Sequence, residues 1–281
     1  MTCHLIQMTS QPSPRANLSR LRQLLAPLKG RAEPQLVVLP ECALCFGTEG
    51  GWAALAEPWQ PDEPERAPMQ QALSQLAREH GVHLVAGTVP ITAEDGRAYA
   101  ASLVFGPDGA CLGRYDKIHL FDVDVEDDTG RYRESTHTHP GQGLTLVDTP
   151  LGRLGLAVCY DVRFPELFRA LAERGAEMIA LPAAFTEPTG QAHWDTLVRA
   201  RAIENQCFLL AAGQQGQHAN GRRTWGHSMI VDPWGRVLAQ LPHGEGLVSA
   251  ELDRAELARI RAKLPALSHR RLPLGSANLG E

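Results

Sequence analysis

Apolar positions along this chain recur with two periods. Leu18, Leu21, Leu25 and Leu28 are spaced as one face of a helix, and residues 35–39 then read as a buried strand ended by Pro40. Met69, Ala72, Leu73 and Leu76 predict a second amphipathic helix, closed by Gly81 and followed by a strand over residues 83–86. Residues 99–105 and 111–116 flank Gly106-Pro-Asp-Gly109, with proline and glycine where a hairpin turn wants them. Residues 144–147 and 154–158 flank Thr149-Pro-Leu-Gly152 in the same way. A helix is expected from Pro165, with Leu167, Ala170 and Leu171 on one face and Gly175 at its end. A strand over 178–181, a helix over 192–207 and a strand over 208–212 come next. A third hairpin, 225–231 with 237–241, turns at Asp232-Pro-Trp-Gly235. Each half alternates strand and helix and closes on a hairpin. That order predicts an α/β architecture of two sheets packed face to face with helices outside. No Gly-, Ser- or Pro-rich linker divides the chain, and the proline-rich piece over 58–68 has the length of a surface loop, so residues 1–281 read as a single domain.

Composition narrows the function classes. The 281 residues are 43% hydrophobic, enough for a full core, and carry 27 basic and 32 acidic groups spread along the chain for a net charge of −5. Nucleic acid is therefore not expected as a partner, because phosphate binding wants a concentrated basic face. The acidic stretch 122–128 lacks the glycine of a calcium loop's sharp turn and reads as a solvated loop. The N-terminus has no basic n-region and no signal-length apolar run, and nowhere do apolar residues reach the roughly 18 of a membrane span. Six cysteines, at 3, 42, 45, 111, 159 and 207, then read as reduced thiols of a cytoplasmic protein.

Three ionisable residues stand just beyond apolar strands: Glu41 after Val37-Val-Leu-Pro, Lys117 after Gly113-Arg-Tyr-Asp, and Cys159 after Gly155-Leu-Ala-Val. In α/β sheets ligands gather at the carboxyl ends of strands, so such residues can converge. Each alone has a bland reading, as a loop carboxylate, a solvated lysine or a small core residue. Together they make a reaction. A thiol of pKa ~8.5 is only a few per cent ionised at neutral pH and needs a base or a nearby cation. Glu41 can take the thiol proton and pass it to a leaving amine. Lys117 can stabilise thiolate and oxyanion, a donor of that kind typically supplying ~2.7–4 kcal/mol. The strand–turn–helix form of Cys159-Tyr-Asp-Val-Arg-Phe-Pro165 resembles a nucleophile elbow, with the Tyr160 amide as a second oxyanion donor.

The segments Leu39-Pro-Glu41, Tyr115-Asp-Lys-Ile-His-Leu120 and Gly155-Leu-Ala-Val-Cys-Tyr-Asp-Val-Arg-Phe-Pro-Glu-Leu167 resemble the three catalytic motifs of the nitrilase, or carbon–nitrogen hydrolase, superfamily, in the same order along nearly the whole chain. The resemblance implies a four-layer αββα sandwich, a Glu41–Lys117–Cys159 triad, no metal or other cofactor, and a homodimer or higher even oligomer to which the segment from about residue 253 contributes. Glu134, in Arg131-Tyr-Arg-Glu-Ser135, matches the family's second carboxylate, which holds the lysine and helps position substrate. Tyr160-Asp161 after the nucleophile, rather than Trp-Glu, is similar to the branch of omega-amidases and deaminated-glutathione amidases. The stretches Ala211–His218 and Gly226–Met229 and the tail 264–271 are closer to the latter. The expected substrate is thus a small amide, deaminated glutathione, cleaved to 2-oxoglutarate and cysteinylglycine through a thioester; α-ketoglutaramate is the alternative. Arg163 is expected to pair with the keto-acid carboxylate, Phe185 and Thr186 to line the pocket, and residues 214–225 to meet the leaving group.

Two other readings stay open. Cys42-Ala-Leu-Cys45 and His137-Thr-His139 have the form of metal or redox motifs, although no second pair stands at finger spacing and Glu41 beside Cys42 does not favour a thiolate. A catalytically dead scaffold would need a defect elsewhere in the triad region, and the sequence has none.

Overall fold

Alternation along the strands sorts their side chains into two buried clusters. In the computed structural model, which describes residues 1–47, 51–60, 63–127 and 129–272, Leu5, Leu36, Val38, Val85 and Val104 join one cluster, whereas Ile6, Val37, Leu39, Leu84 and Leu103 join the other. Successive side chains of a strand point to opposite faces, so both faces of this sheet are covered. The sheet runs Gly246–Glu251, Thr2–Gln7, Gln35–Val38, His83–Val85, Ala98–Phe105 and Val89–Thr92, and Cys111–Asp116 also pairs with Ala98–Phe105. Thr2–Gln7, Gln35–Val38 and His83–Val85 are parallel to one another, and the outer pairings are antiparallel.

A second sheet repeats this plan, in the order Val237–Leu241, Ser228–Val231, Phe208–Gly213, Met178–Ala183, Gly152–Leu156 and Leu146–Thr149, again with a parallel centre. Leu154, Leu156, Ile179, Leu181 and Leu209 share a cluster with Leu5, Leu36 and Val38 of the first sheet, and Thr2–Gln7 packs on Phe208–Gly213 and Ser228–Val231. The sheets are therefore face to face. Helices α1 (Pro14–Leu25) and α2 (Pro68–His80) cover the outside of the first sheet through Leu21, Leu25, Leu73 and Leu76. Helices α3 (Pro165–Glu173) and α4 (Glu187–Asn205) cover the second through Leu167, Phe168, Leu171, Trp194 and Val198. This is the expected helix–sheet–sheet–helix sandwich. A last helix, α5 (Arg254–Lys263), is tied down by Arg261, which donates to the carbonyls of Gln206 at 2.9 Å and Ala176 at 2.8 Å. No helix among the described residues is long and apolar enough to cross a membrane.

The expected helices and hairpins are present, with informative shifts. Helix α4 begins five residues before Ala192, with Thr186 at its N-cap, a proline in its first turn and Gly190 where the Trp225 ring packs so closely that a Cβ would overlap it. The strand expected to run to Val158 stops at Leu156, because the Val158 amide donates to Asp161 Oδ2 at 2.8 Å instead of to a neighbouring strand. The strand expected over 225–231 is split by the positive φ of Gly226 and His227: Arg223–Trp225 pairs with Gln215–Gln217, and only Ser228–Val231 enters the sheet. Most of the acidic stretch forms part of a short ribbon, Asp122–Asp124 against Arg131–Arg133, with Asp127 accepting the Thr129 and Gly130 amides at its turn. Asp128 lies outside the described residues.

Candidate active site

Glu41 is brought in by the first sheet. The Leu39 amide closes onto the Val85 carbonyl at 2.9 Å, and the chain then turns sharply, with Cys42 at φ 57°. Gly87 is what permits that turn, since a Cβ there would overlap the Pro40 carbonyl. Behind it, buried Gln214 donates to the Glu41 carbonyl at 2.9 Å and exchanges hydrogen bonds with Ser10, joining the Glu41 turn to the second sheet. Lys117 follows the strand Cys111–Asp116. Its amide donates to the Ala100 carbonyl at 3.1 Å and its carbonyl accepts from Gly141 at 2.9 Å, so its backbone is pinned on both sides.

Cys159 opens a 3-10 turn, Cys159–Arg163, directly after the second sheet. Its φ of 47° lies in the left-handed region, which a residue with a Cβ adopts only when its surroundings hold it there. Asp161 does much of that holding. This fully buried carboxylate accepts from Val158 N at 2.8 Å, from Tyr115 OH at 2.8 Å and from His119 Nδ1 at 2.7 Å, and His119 stacks on Phe164 at 3.7 Å. The turn that carries Cys159 and the loop that carries Lys117 are thus fastened to one side chain.

The ionisable groups converge as the sequence implies. Lys117 Nζ is 2.9 Å from Glu41 Oε1 and 2.9 Å from each oxygen of Glu134, while Glu134 Oε2 also accepts the Phe121 amide at 2.6 Å. Lys117 is 2% exposed, Glu41 6% and Cys159 7%, so these charges act in a medium far less screening than water. Burial alone lowers the Lys117 ammonium, but Glu134, Glu41 and Cys159 outweigh it and hold the lysine well above its ordinary range. Burial raises Glu134, partly offset by Lys117. Burial, reinforced by Glu41, pushes the Cys159 thiol far up, with Lys117 and the Ala184 backbone pulling the other way. The resting arrangement is therefore a neutral thiol beside a lysine cation that Glu41 and Glu134 hold between them.

This cluster opens into a pocket of about 320 Å³ whose walls include Thr88, Phe121, Tyr132, Thr138, Tyr160, Phe185, Thr186 and Arg222. The carbon–nitrogen hydrolase family profile matches residues 4–262. The chain belongs to that family. It is 45% identical to a deaminated glutathione amidase of Yersinia enterocolitica over 95% of this chain and 92% of that one. It is 39% identical to omega-amidase NIT2-A of Xenopus laevis over 96% and 95%. Among solved structures it superposes on the C. elegans NitFhit protein with a TM-score of 0.87 and 36% identity, covering 97% of this chain but only 66% of the nematode chain. The fold is that of the family, and the protein is a hydrolase of carbon–nitrogen bonds in amides other than peptide bonds.

Within this hydrolase, Glu41, Lys117, Cys159 and Glu134 meet, and Tyr160, Phe185 and Thr186 stand on the pocket wall. Arg163 stands beside the wall. Its guanidinium lies over the rings of Phe185 at 5.2 Å and Tyr160 at 5.8 Å, and Nη1 is 3.3 Å from His193 Nδ1. Of residues 214–225, only Arg222 reaches the pocket; Gln214 is buried behind Glu41. Cys42 is on the pocket wall, where its amide donates to Thr88 Oγ1 at 2.9 Å, whereas Cys45 is in the core behind α2. His139 pairs with Asp95, at 2.9 Å. Among the described residues no group of three or more His, Cys, Asp or Glu is arranged to hold a metal. Sequence reasoning missed Asp161 and Thr88, and reached Arg222 only as one member of the segment 214–225, not singled out. For Asp161 the signal was an acid two residues after Cys159 at the end of an apolar strand, and for the others there was no local signal.

Proposed function

We propose that this hydrolase is a cysteine-dependent amidase that cleaves deaminated glutathione to 2-oxoglutarate and cysteinylglycine. The observation that carries the chemistry is the buried Lys117 ammonium held by Glu41 and Glu134 on the wall of the pocket that Cys159 also lines. The substrate rests on the 45% identical relative of that name. Glu41 takes the thiol proton as Cys159 Sγ bonds to the amide carbon, and the oxyanion forms between Lys117 Nζ and the Tyr160 amide, which the first turn of a helix leaves without an intrahelical acceptor. Glu41 then returns the proton to the departing nitrogen, leaving a thioester. Water, deprotonated by Glu41, adds to the thioester; the acid departs and the thiol regains its proton. Glu134 keeps the lysine aimed and charged.

Arg163, whose guanidinium lies over the Phe185 and Tyr160 rings of the pocket wall, is the proposed receiver of the keto-acid carboxylate. Six unpaired cysteines fit a reducing cytoplasm. Exposed Ile203, Trp234, Val237, Leu238 and Leu264 fit a homodimer face that includes the end of α5. Omega-amidase activity on α-ketoglutaramate is the second reading, favoured by the 39% identical relative. The test is a side-by-side assay of both amides with wild type and Cys159→Ala, together with intact mass after rapid quench. A 2-oxoglutaryl adduct on Cys159 and no turnover in the variant are expected. An adduct on Cys42, or turnover without Cys159, refutes the mechanism; higher kcat/KM on α-ketoglutaramate reassigns the substrate.

A further inference from the structure

We propose that Arg222 is a carboxylate subsite for the leaving group, an amino acid or short peptide with a free C-terminus; this rests on the amidase reading above.

Four arginines stand on or beside the pocket, and two of them, Arg131 and Arg133, already meet a carboxylate. Arg133 pairs with Asp124 at 3.0 Å and donates to the Val123 carbonyl, Arg131 reaches the same aspartate at 4.0 Å, and Arg163 is engaged with His193. Arg222 has no carboxylate within ion-pair distance among the described residues. Its one hydrogen bond from the guanidinium runs from Nη2 to the Ala184 carbonyl at 2.7 Å, and its Nε is buried without a partner. A guanidinium carries five donors, so most are unspent.

Its mounting is rigid. The guanidinium carbon lies 5.0 Å from the Tyr132 ring centre and 5.2 Å from that of Phe46. Phe46 in turn stacks at 3.9 Å on His218, whose ring is fixed by the Ser10 carbonyl and Thr224 Oγ1. A cation held on aromatic faces before the ligand arrives loses little freedom on binding it.

Position decides which carboxylate it receives. Glu41 protonates the departing nitrogen, so the leaving group lies on the Glu41 side of the reacting carbon. Arg222 belongs to that side, since its guanidinium lies over Phe46, in the segment that continues from Glu41, and it shares the pocket wall with Glu41 and Cys42. Arg163, by contrast, lies over Tyr160 and Phe185. Arg222 also borders a second pocket of about 180 Å³ that gives a peptide leaving group room to continue. The acids there are committed elsewhere: Glu187 to Arg223, and Asp127 to Tyr132 OH and its own turn.

The test pairs one acyl group with two leaving groups, cysteinylglycine and its C-terminal carboxamide, in wild type, Arg222→Gln and Arg222→Lys, and reads the ratio of kcat/KM values. A charge-assisted pair of this kind is worth roughly 10–100-fold, so wild type should prefer the free carboxylate by that factor, through KM. The preference should fall to near unity in Arg222→Gln and be partly restored in Arg222→Lys, whatever happens to absolute rates. An unchanged ratio in Arg222→Gln, with both substrates slowed alike, assigns Arg222 a structural role and overturns the proposal. So does a wild type indifferent to the carboxamide, which requires no variant to fold. Failure of wild type on both amides refutes the amidase reading itself, a different result from either.

Discussion

Glu41→Gln should uncouple the reactivity of the Cys159 thiol from catalysis. The substitution keeps size and one acceptor but removes a negative charge that stands, buried, beside the thiol and 2.9 Å from Lys117. After burial, that charge is the main reason the thiol is pushed up, and Lys117 works in the opposite direction. Glu134 still holds the ammonium with both oxygens at 2.9 Å, so in the variant the thiol faces a cation whose effect is no longer cancelled. Two unit charges several Å apart at an effective dielectric of 20 interact by about 2–3 kcal/mol. Thiolate at mildly alkaline pH should therefore rise by roughly 10–100-fold. Modification of Cys159 by a small reagent such as methyl methanethiosulfonate, followed by peptide mass analysis, should accelerate accordingly. Amide hydrolysis should fall by about 10²–10⁴-fold, because no group remains to take the thiol proton in the attack and return it to the leaving nitrogen. The two rates moving in opposite directions is the signature. Parallel losses would mean that Glu41 ionises the resting thiol, and undiminished hydrolysis would mean that it is not the proton carrier.

Two further outcomes follow from buried polar groups. Asp161→Asn keeps only one acceptor oxygen for four donors, and whichever way the amide faces, a backbone N–H of Val158 or His119 is orphaned; a loss of about 2–5 kcal/mol, roughly 5–10 °C in Tm, should accompany a fall in kcat, and a Tm within 1 °C of wild type refutes this account. His4 and His218 are both lowered to about 4, chiefly by burial. The unfolded chain therefore takes up protons near pH 6.5 that the folded one refuses, and stability should decline from about pH 6.5 to 4 by up to about 3 kcal/mol per histidine. Urea midpoints of wild type, His4→Asn and His218→Asn across that range check it, and a variant as pH-sensitive as wild type contradicts it.

The layers were legible because hydrophobic periodicity reports burial. The spacing of Leu21 and Leu25, or the Gly106-Pro-Asp-Gly109 turn, needs no partner to be recognised. Thr2–Gln7 escaped because three of its six residues, Thr2, His4 and Gln7, are polar, yet it pairs with both a parallel and an antiparallel neighbour in the first sheet. His4 is satisfied by Ser249 and Gln35, and Gln7 by the Gly244 carbonyl and the Ser228 amide. Those partners are up to 245 positions away in sequence, and no local pattern can announce them. Helix α4 was read short because Gly190 looks like a breaker until the Trp225 ring fills its place. The residues that converge, Glu41, Lys117 and Cys159, were visible as ionisable groups at strand ends and through the family motifs. Arg222 and Thr88 were not, since only the folded chain shows which loops share a wall.

Glu41 and Lys117 come from one sheet and Cys159 from the other, so the proposed reaction depends on the register between sheets as much as on any strand. Apolar packing between sheets is strong but non-directional, and a slip of one ångström is enough to cost about 10²-fold in rate. The directional control comes from two buried polar side chains that cross between the layers. Gln214 of the second sheet grips the Glu41 carbonyl, and Asp161 of the nucleophile turn grips Tyr115 and His119 on either side of Lys117. Each is fully buried, and a buried polar group must be satisfied to be tolerated. The penalty for losing these bonds therefore fixes the distances among the three reacting groups. It also explains why a chain with six cysteines directs one thiol to this chemistry. Cys3 and Cys207 are as deeply buried as Cys159, but neither lines the pocket where Lys117 and Glu41 of the opposite sheet meet.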